Sequence, residues 1–169
     1  RACPEFQFDV VGESDGSLPN VGELVAQARA MPNVHLHGRI PYSEMRRFYA
    51  QAAGLICTAR EEGFPNTFLE AWSYGLPVFS VFDPDGMVGR HGLGIAADDT
   101  TGLIMGIRTL LGDPEAWRRV CHNARRHFLE HHTVDSFVDR FEQVLEPFLA
   151  SISPSQGVEM DRSNHREPT

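Results

Sequence analysis

The stretch Arg60-Glu-Glu-Gly-Phe-Pro-Asn-Thr-Phe-Leu-Glu-Ala-Trp-Ser-Tyr-Gly-Leu-Pro-Val78 decides the fold of this chain. It is left through the strand Pro77-Val-Phe-Ser-Val-Phe82 and entered from Gly54-Leu-Ile-Cys-Thr58, short and apolar on both faces. Runs of that kind are strands buried on two sides, as in a parallel sheet. Between them Pro65 and Asn66 set up a helix start, and Gly75 ends the helix. Glu62 and Glu70 lie on either side of the Gly-Phe-Pro-Asn turn. Gly63 lets the backbone approach a ligand without a β-carbon, and the N–H groups of Phe64, Asn66, Thr67 and Phe68 are candidate donors to an anion at the helix start. Pro65 has no N–H to give. Carboxylates so placed are acceptors suited to the hydroxyls of a sugar ring.

Working outward, strands and amphipathic helices alternate, which favours a parallel sheet covered on both faces. Phe6–Val11 reads as a strand, Val21–Ala30 as a helix, Val34–Gly38 as a strand, and Ser43 as the cap of a helix through Ala52. After the strand Pro77–Phe82 come the turn-rich Asp83–Gly86, a glycine-rich loop Gly89–Gly94 and a last short strand Ile95–Ala97. Thr100 or Thr101 is the expected cap of a helix through Leu111, Asp113-Pro114 restarts a helix to about His131, and Val134–Leu149 carries a final apolar stripe. The expected fold is therefore α/β, Rossmann-like, three layers around a mostly parallel sheet. Residues 1–150 form one domain, and the polar, aperiodic residues 151–169 read as a disordered tail.

The chain has 169 residues, 41% hydrophobic and 22% charged, ordinary values for a globular domain. A net charge of −8 argues against a surface that attracts nucleic acid or anionic lipid. No lysine occurs, so bound phosphate must be compensated by arginine, by backbone N–H groups or by parts of the protein not present. Cys3, Cys57 and Cys121 are far apart, which suggests neither a disulfide framework nor a zinc knuckle and favours a reducing, cytoplasmic setting. No apolar run reaches the roughly 20 residues that span a bilayer.

Several residues have two readings. Thr67-x-x-Glu70 has the spacing of a capping box, so Glu70 is either a helix cap or a ligand carboxylate. Glu62 is a site residue or a solvated loop residue. Gly38-Arg-Ile-Pro41 is a strand end with a proline turn or a contact for a ring edge through Arg39 and Ile40. Arg60 reaches a phosphate or forms a surface ion pair. His35 and His37 share a strand face, but no carboxylate or cysteine cluster accompanies them, and no metal site is expected. Gly12-x-x-x-Gly16 does not match the dinucleotide fingerprint.

Two glutamates separated by seven residues around this loop resemble the donor-binding half of retaining glycosyltransferases of the GT-B fold, in particular family 4. The resemblance spans about Phe6 to Phe148, with Glu62 to Val78 as its specific part. It implies that Glu70 binds the ribose hydroxyls of a UDP-, GDP- or ADP-linked sugar. Glu62 is the catalytic carboxylate at the transferred sugar, Gly63 and the N–H groups of Phe64, Asn66, Thr67 and Phe68 take the diphosphate, and the backbone at Arg39 and Ile40 meets the base. It implies no metal and no cofactor, the nucleotide sugar being a substrate. Missing relative to the family are a first strand with its phosphate-clamping arginine and lysine, and the whole amino-terminal acceptor domain. The implied activity is sugar transfer, of hexosyltransferase type, to an acceptor hydroxyl in the full-length parent, with the fragment alone inactive. A non-catalytic nucleotide-sugar binding module and a nucleotide-sugar epimerase of GT-B architecture are the alternatives.

Overall fold

In the computed structural model, residues 3–13, 20–60 and 63–151 are described. Of the expected tail, residues 151–169, Ser151 closes a helix, and residues 152–169 lie outside the described residues. The chain divides into two units, residues 1–132 and residues 133–169.

The first unit alternates as the sequence predicts. Strand β1 (Phe8–Val11) is followed by helix α1 (Val21–Arg29), β2 (Val34–Gly38), α2 (Tyr42–Gln51), β3 (Leu55–Cys57) and α3 (Asn66–Ser73). Then come β4 (Val78–Ser80), α4 (Met87–His91), β5 (Gly94–Ala96), α5 (Thr100–Gly112) and α6 (Pro114–His131). All strand pairings are parallel. They form two ladders rather than the one sheet expected: β1 pairs with β2, and β3-β4-β5 form the other. Alternating strands and helices dictate parallel direction, but not which strands become neighbours.

Strand β4 is the centre of the larger ladder, and every one of its residues is buried. Successive side chains of a strand point to opposite faces, so β4 builds two cores. Val78 packs with Tyr49 of α2, Phe68, Ala71 and Trp72 of α3, Val88 of α4 and Ala124 of α6. Phe79 packs with Leu103, Ile107 and Leu110 of α5. Helices thus cover both faces, and the fold is the Rossmann-like three-layer α/β arrangement. Helix α6 serves both cores, with Trp117 and Val120 against the α5 side and Ala124 and Phe128 against the α3 side.

Helix ends show where side chains took over from simple spacing. Helix α3 closes in a Schellman motif: Gly75, at φ 70°, donates to Trp72 O, and Leu76 donates to Ala71 O. Helix α5 is capped by Asp99, whose carboxylate accepts from Gly102 N at 2.7 Å, instead of by Thr100 or Thr101. Asp113 caps α6 as expected, accepting from Glu115 N and Ala116 N, both at 3.0 Å. Helix α2 starts two residues earlier than a Ser43 cap would place it, with Pro41 at its N-cap and no side-chain cap bond, so Ser43 lies inside the first turn.

The stretch Asp83–Gly94, read as a turn and a glycine-rich loop, contains α4. Asp83 holds that helix, its two carboxylate oxygens accepting from Val88 N (2.7 Å) and Gly89 N (3.1 Å). Glycine content hid the helix because its cap lies four residues upstream of its first residue.

The second unit is described as helix α7 (Val134–Ser151), with Pro147 inside it. Thr133 caps its start, its hydroxyl accepting from Ser136 N at 3.1 Å. Val134, Phe137, Val138, Phe141 and Phe148 are exposed. Phe137 and Phe141 stack at 6.1 Å. No helix among the described residues is long and apolar enough to cross a membrane.

Candidate functional site

The loop between β3 and α3 is built by two constraints. Strand β3 delivers the chain at its carboxyl end, where ligands bind in open α/β sheets. Pro65 then sets the N-cap of α3 with extended backbone (φ −69°, ψ 115°). Asn66 and Thr67 occupy the first turn and are exposed, and the first N–H groups of a helix have no acceptor within it. Phe68 differs from the expectation of a free donor. Its N–H donates to Pro65 O at 3.0 Å, and its side chain is fully buried in the core.

Phe64 fixes the loop to the body of the unit. Its ring lies 6.2 Å from Trp72 and 6.0 Å from His132, and 39% of the residue is exposed. Gly63, just before it, is exposed, and among the described residues other than its chain neighbours no heavy atom lies within 4 Å of where a β-carbon would stand. Backbone at this position is open to an incoming group. Glu61 and Glu62 lie outside the described residues.

Glu70 does not form the capping box. Helix α3 starts at Asn66, so Thr67 is an interior residue of the first turn and no side chain caps the start. The Glu70 carboxylate instead receives the Tyr49 hydroxyl, which donates to Oε2 at 2.7 Å. Burial first, and then the hydrogen bond to Glu70, raises the Tyr49 phenol well above its ordinary range. It stays a donor at any physiological pH. A carboxylate has about four acceptor positions, and one bond to Tyr49 leaves the others for further donors. Glu70 follows Asn66 by four residues, so their Cα atoms are about one helical turn apart, roughly 6 Å along the axis, and a helical side chain leans back toward the N-terminus. A positive helix end and an acceptor at that spacing suit a ligand with an anionic part and a hydroxyl-bearing part.

Arg39 and Ile40 follow β2, the first exposed and the second half-buried. They stand at the carboxyl end of the smaller ladder, beside the β1 end, to which Gly12 N ties them by donating to Gly38 O at 2.9 Å. Arg60 is exposed. His37 faces Asp9, Nε2 to Oδ1 2.6 Å, and meets the edge of the Phe48 ring. Among the described residues no group of three or more His, Cys, Asp or Glu side chains is placed to hold a metal ion. An open groove of about 410 Å³ runs along α6 between Gly92 and Arg119, and no residue of the β3–α3 loop lines it.

Two features escaped the sequence. One is Tyr49, 21 residues before Glu70. The other is a cluster of histidines behind the Phe64 loop. The His127 ring lies 4.7 Å from His91, 4.7 Å from His131 and 5.1 Å from His132. His127 and His132 bring their Nε2 atoms within 3.3 Å. The doublet His131-His132 was visible in the sequence, but nothing in its spacing joined it to His91.

The family profile described as Glycosyl transferases group 1 matches residues 1–113. Among solved structures, sucrose-phosphate synthase (tll1590) from Thermosynechococcus elongatus has a TM-score of 0.67 and 21% identity, covering 89% of this chain and 41% of its own. Anabaena Alr3699/HepE in complex with UDP-glucose gives 0.66 and 19%, covering 89% and 43%. The pneumococcal O-GlcNAc transferase GtfA in complex with UDP and GlcNAc gives 0.63 and 22%, covering 88% and 31%. At these identities the likeness shows the fold, a Rossmann-like domain of the GT-B kind. The chain spans less than half the length of each of these structures. No curated protein matches it significantly.

Proposed function

The chain belongs to the glycosyl transferases of group 1, and on that premise we propose that it is the donor-binding domain of a retaining, family 4 glycosyltransferase. The full-length parent moves a sugar, of hexosyl type, from a nucleoside diphosphate to an acceptor hydroxyl. The observation that carries this role is the placement of Glu70 one helical turn behind the open N-terminus of α3. The N–H groups of Asn66 and Thr67 take diphosphate oxygens, where the helix end favours negative charge. Glu70 accepts the ribose hydroxyls in charge-assisted bonds. Arg39 and Ile40 offer backbone groups to the base, and Gly63 with Phe64 lines the approach of the phosphates. The solved relatives in complex with UDP-glucose and with UDP support a uridine nucleotide as the first ligand to try.

In this role Glu62 holds hydroxyls of the transferred sugar and favours the positive charge that grows on the ring as its bond to phosphate breaks. Neither a metal ion nor a further cofactor is assigned. Catalysis needs the acceptor held against the donor by a second domain, and that positioning lowers much of the barrier. The chain by itself therefore binds donor but does not turn over. The division of its strands into two ladders supports a sheet completed by a strand from elsewhere in the parent. The free cysteines Cys3, Cys57 and Cys121 suit a cytoplasmic protein.

Calorimetric titration with UDP, GDP and ADP tests the proposal. Glu70→Ala is expected to weaken binding of the preferred nucleotide by about 1.5–3 kcal/mol, the usual worth of a hydrogen bond to a charged group. Equal binding by parent and Glu70→Ala would remove Glu70 from the site.

A further inference from the structure

We propose that Tyr49 is a positioning residue for nucleotide recognition: its hydroxyl fixes the Glu70 carboxylate in the geometry that reads the ribose hydroxyls. The inference rests on the donor-binding role of Glu70 and adds a residue that the β3–α3 loop does not contain.

Three observations carry it. The Tyr49 ring is buried in the core formed with Phe68, Trp72 and Val78, so its place is set by packing. Its outer neighbour is Tyr74, stacked at 5.4 Å with the planes 16° apart. The hydroxyl reaches Glu70 Oε2 at 2.7 Å. A rigid aromatic side chain held on both sides thus ends in a donor aimed at a long, flexible carboxylate.

The consequence is preorganisation. A free glutamate side chain samples many rotamers, and a ligand that needs one of them must bear the entropy of ordering it. Tyr49 transfers that ordering from binding to folding. It also selects which lone pairs face outward, since Oε2 has one position taken while Oε1 keeps both. Phenylalanine would fill the same core volume, so packing alone does not require the hydroxyl.

Tyr49→Phe keeps the ring and deletes the donor. The measurement is titration of the parent, Tyr49→Phe, Glu70→Ala and the double variant with UDP, GDP and ADP and their 3′-deoxy counterparts, with thermal unfolding as a check on folding. The parent is expected to prefer the ribonucleotide over its 3′-deoxy form by roughly tenfold, and Tyr49→Phe to reduce that preference to about twofold or less. The double variant should bind like Glu70→Ala, because without the carboxylate the hydroxyl has nothing to position. Tyr74→Ala removes the outer ring from a residue 42% exposed, and it should shift the same ratio in the same direction. A variant that only loosens the fold weakens both nucleotides alike, leaves the ratio intact and overturns the inference. Loss of binding in Glu70→Ala with parent-like ratios in Tyr49→Phe and Tyr74→Ala also overturns it, while the donor site stands. Absence of nucleotide binding in the parent, or unchanged binding in Glu70→Ala, removes the donor site and the inference together.

Discussion

Gly94 shows how tightly single positions are set in this domain. It opens β5 at φ 158°, and a β-carbon there would stand 1.8 Å from Val78 O and 2.6 Å from Val78 N. Both atoms are backbone of the central strand, so no side-chain rotation relieves the clash. Gly94→Ala must part β4 from β5, and it is expected to cost at least about 3 kcal/mol, in the range that marks severe core disruption. Urea unfolding of the variant checks this, and a midpoint close to the parent's would show that the ladder yields easily. The sequence marked Gly94 only as one of several glycines, because close backbone approach has no signature in one chain. Glu70 was legible as a carboxylate beside a helix start. Its partner was not, since the approach of α2 to α3 depends on the core they share with β4 and not on the spacing of Tyr49 and Glu70.

At the scale of elements, most strands and helices fall where apolar periodicity put them. The exceptions share one cause, a side chain acting on backbone outside its own element. Asp83 holds α4 against its glycines, and Asp99 displaces the threonines as cap of α5. Tertiary packing also gathers the histidines of α4 and α6. Burial first, then the charges of His131, His132 and His91, depresses the His127 imidazole to about 4. His127 is only 8% exposed, and it faces Trp72 of α3 at 5.7 Å. A group depressed from an unfolded value near 6.5 binds fewer protons when folded, so its stabilisation is present above that value and is lost as pH falls toward 4. Over this window His127 is expected to remove up to about 3 kcal/mol of stability. His127→Gln, which does not titrate, should flatten the loss. Denaturant midpoints at pH 7.5, 5.5 and 4.5 compare the two, and an equally steep loss in His127→Gln would assign it to other groups. A second element-scale test is Asp113→Ala, which takes the cap from α6 and is expected to cost about 1 kcal/mol, read as a lower thermal midpoint.

The whole molecule carries a net charge of −8 and not one lysine. A nucleoside diphosphate is itself an anion, so its approach is opposed at long range and favoured only close to the site. The close-range attraction assigned to it comes from the N–H groups at the start of α3, which are fixed dipoles at contact distance and are little affected by salt. The long-range repulsion is different, because mobile ions screen it over a Debye length of about 10 Å at 0.1 M ionic strength. Raising sodium chloride from 50 to 300 mM should therefore leave nucleotide affinity within about twofold or strengthen it. Binding led by exposed arginines such as Arg39 or Arg60 predicts the opposite, since added salt weakens exposed ion pairs. Titration of the same nucleotide at both salt concentrations separates the two. A tenfold weakening would move the diphosphate from the helix end to the arginines, and Arg39→Ala and Arg60→Ala would then identify which of them holds it.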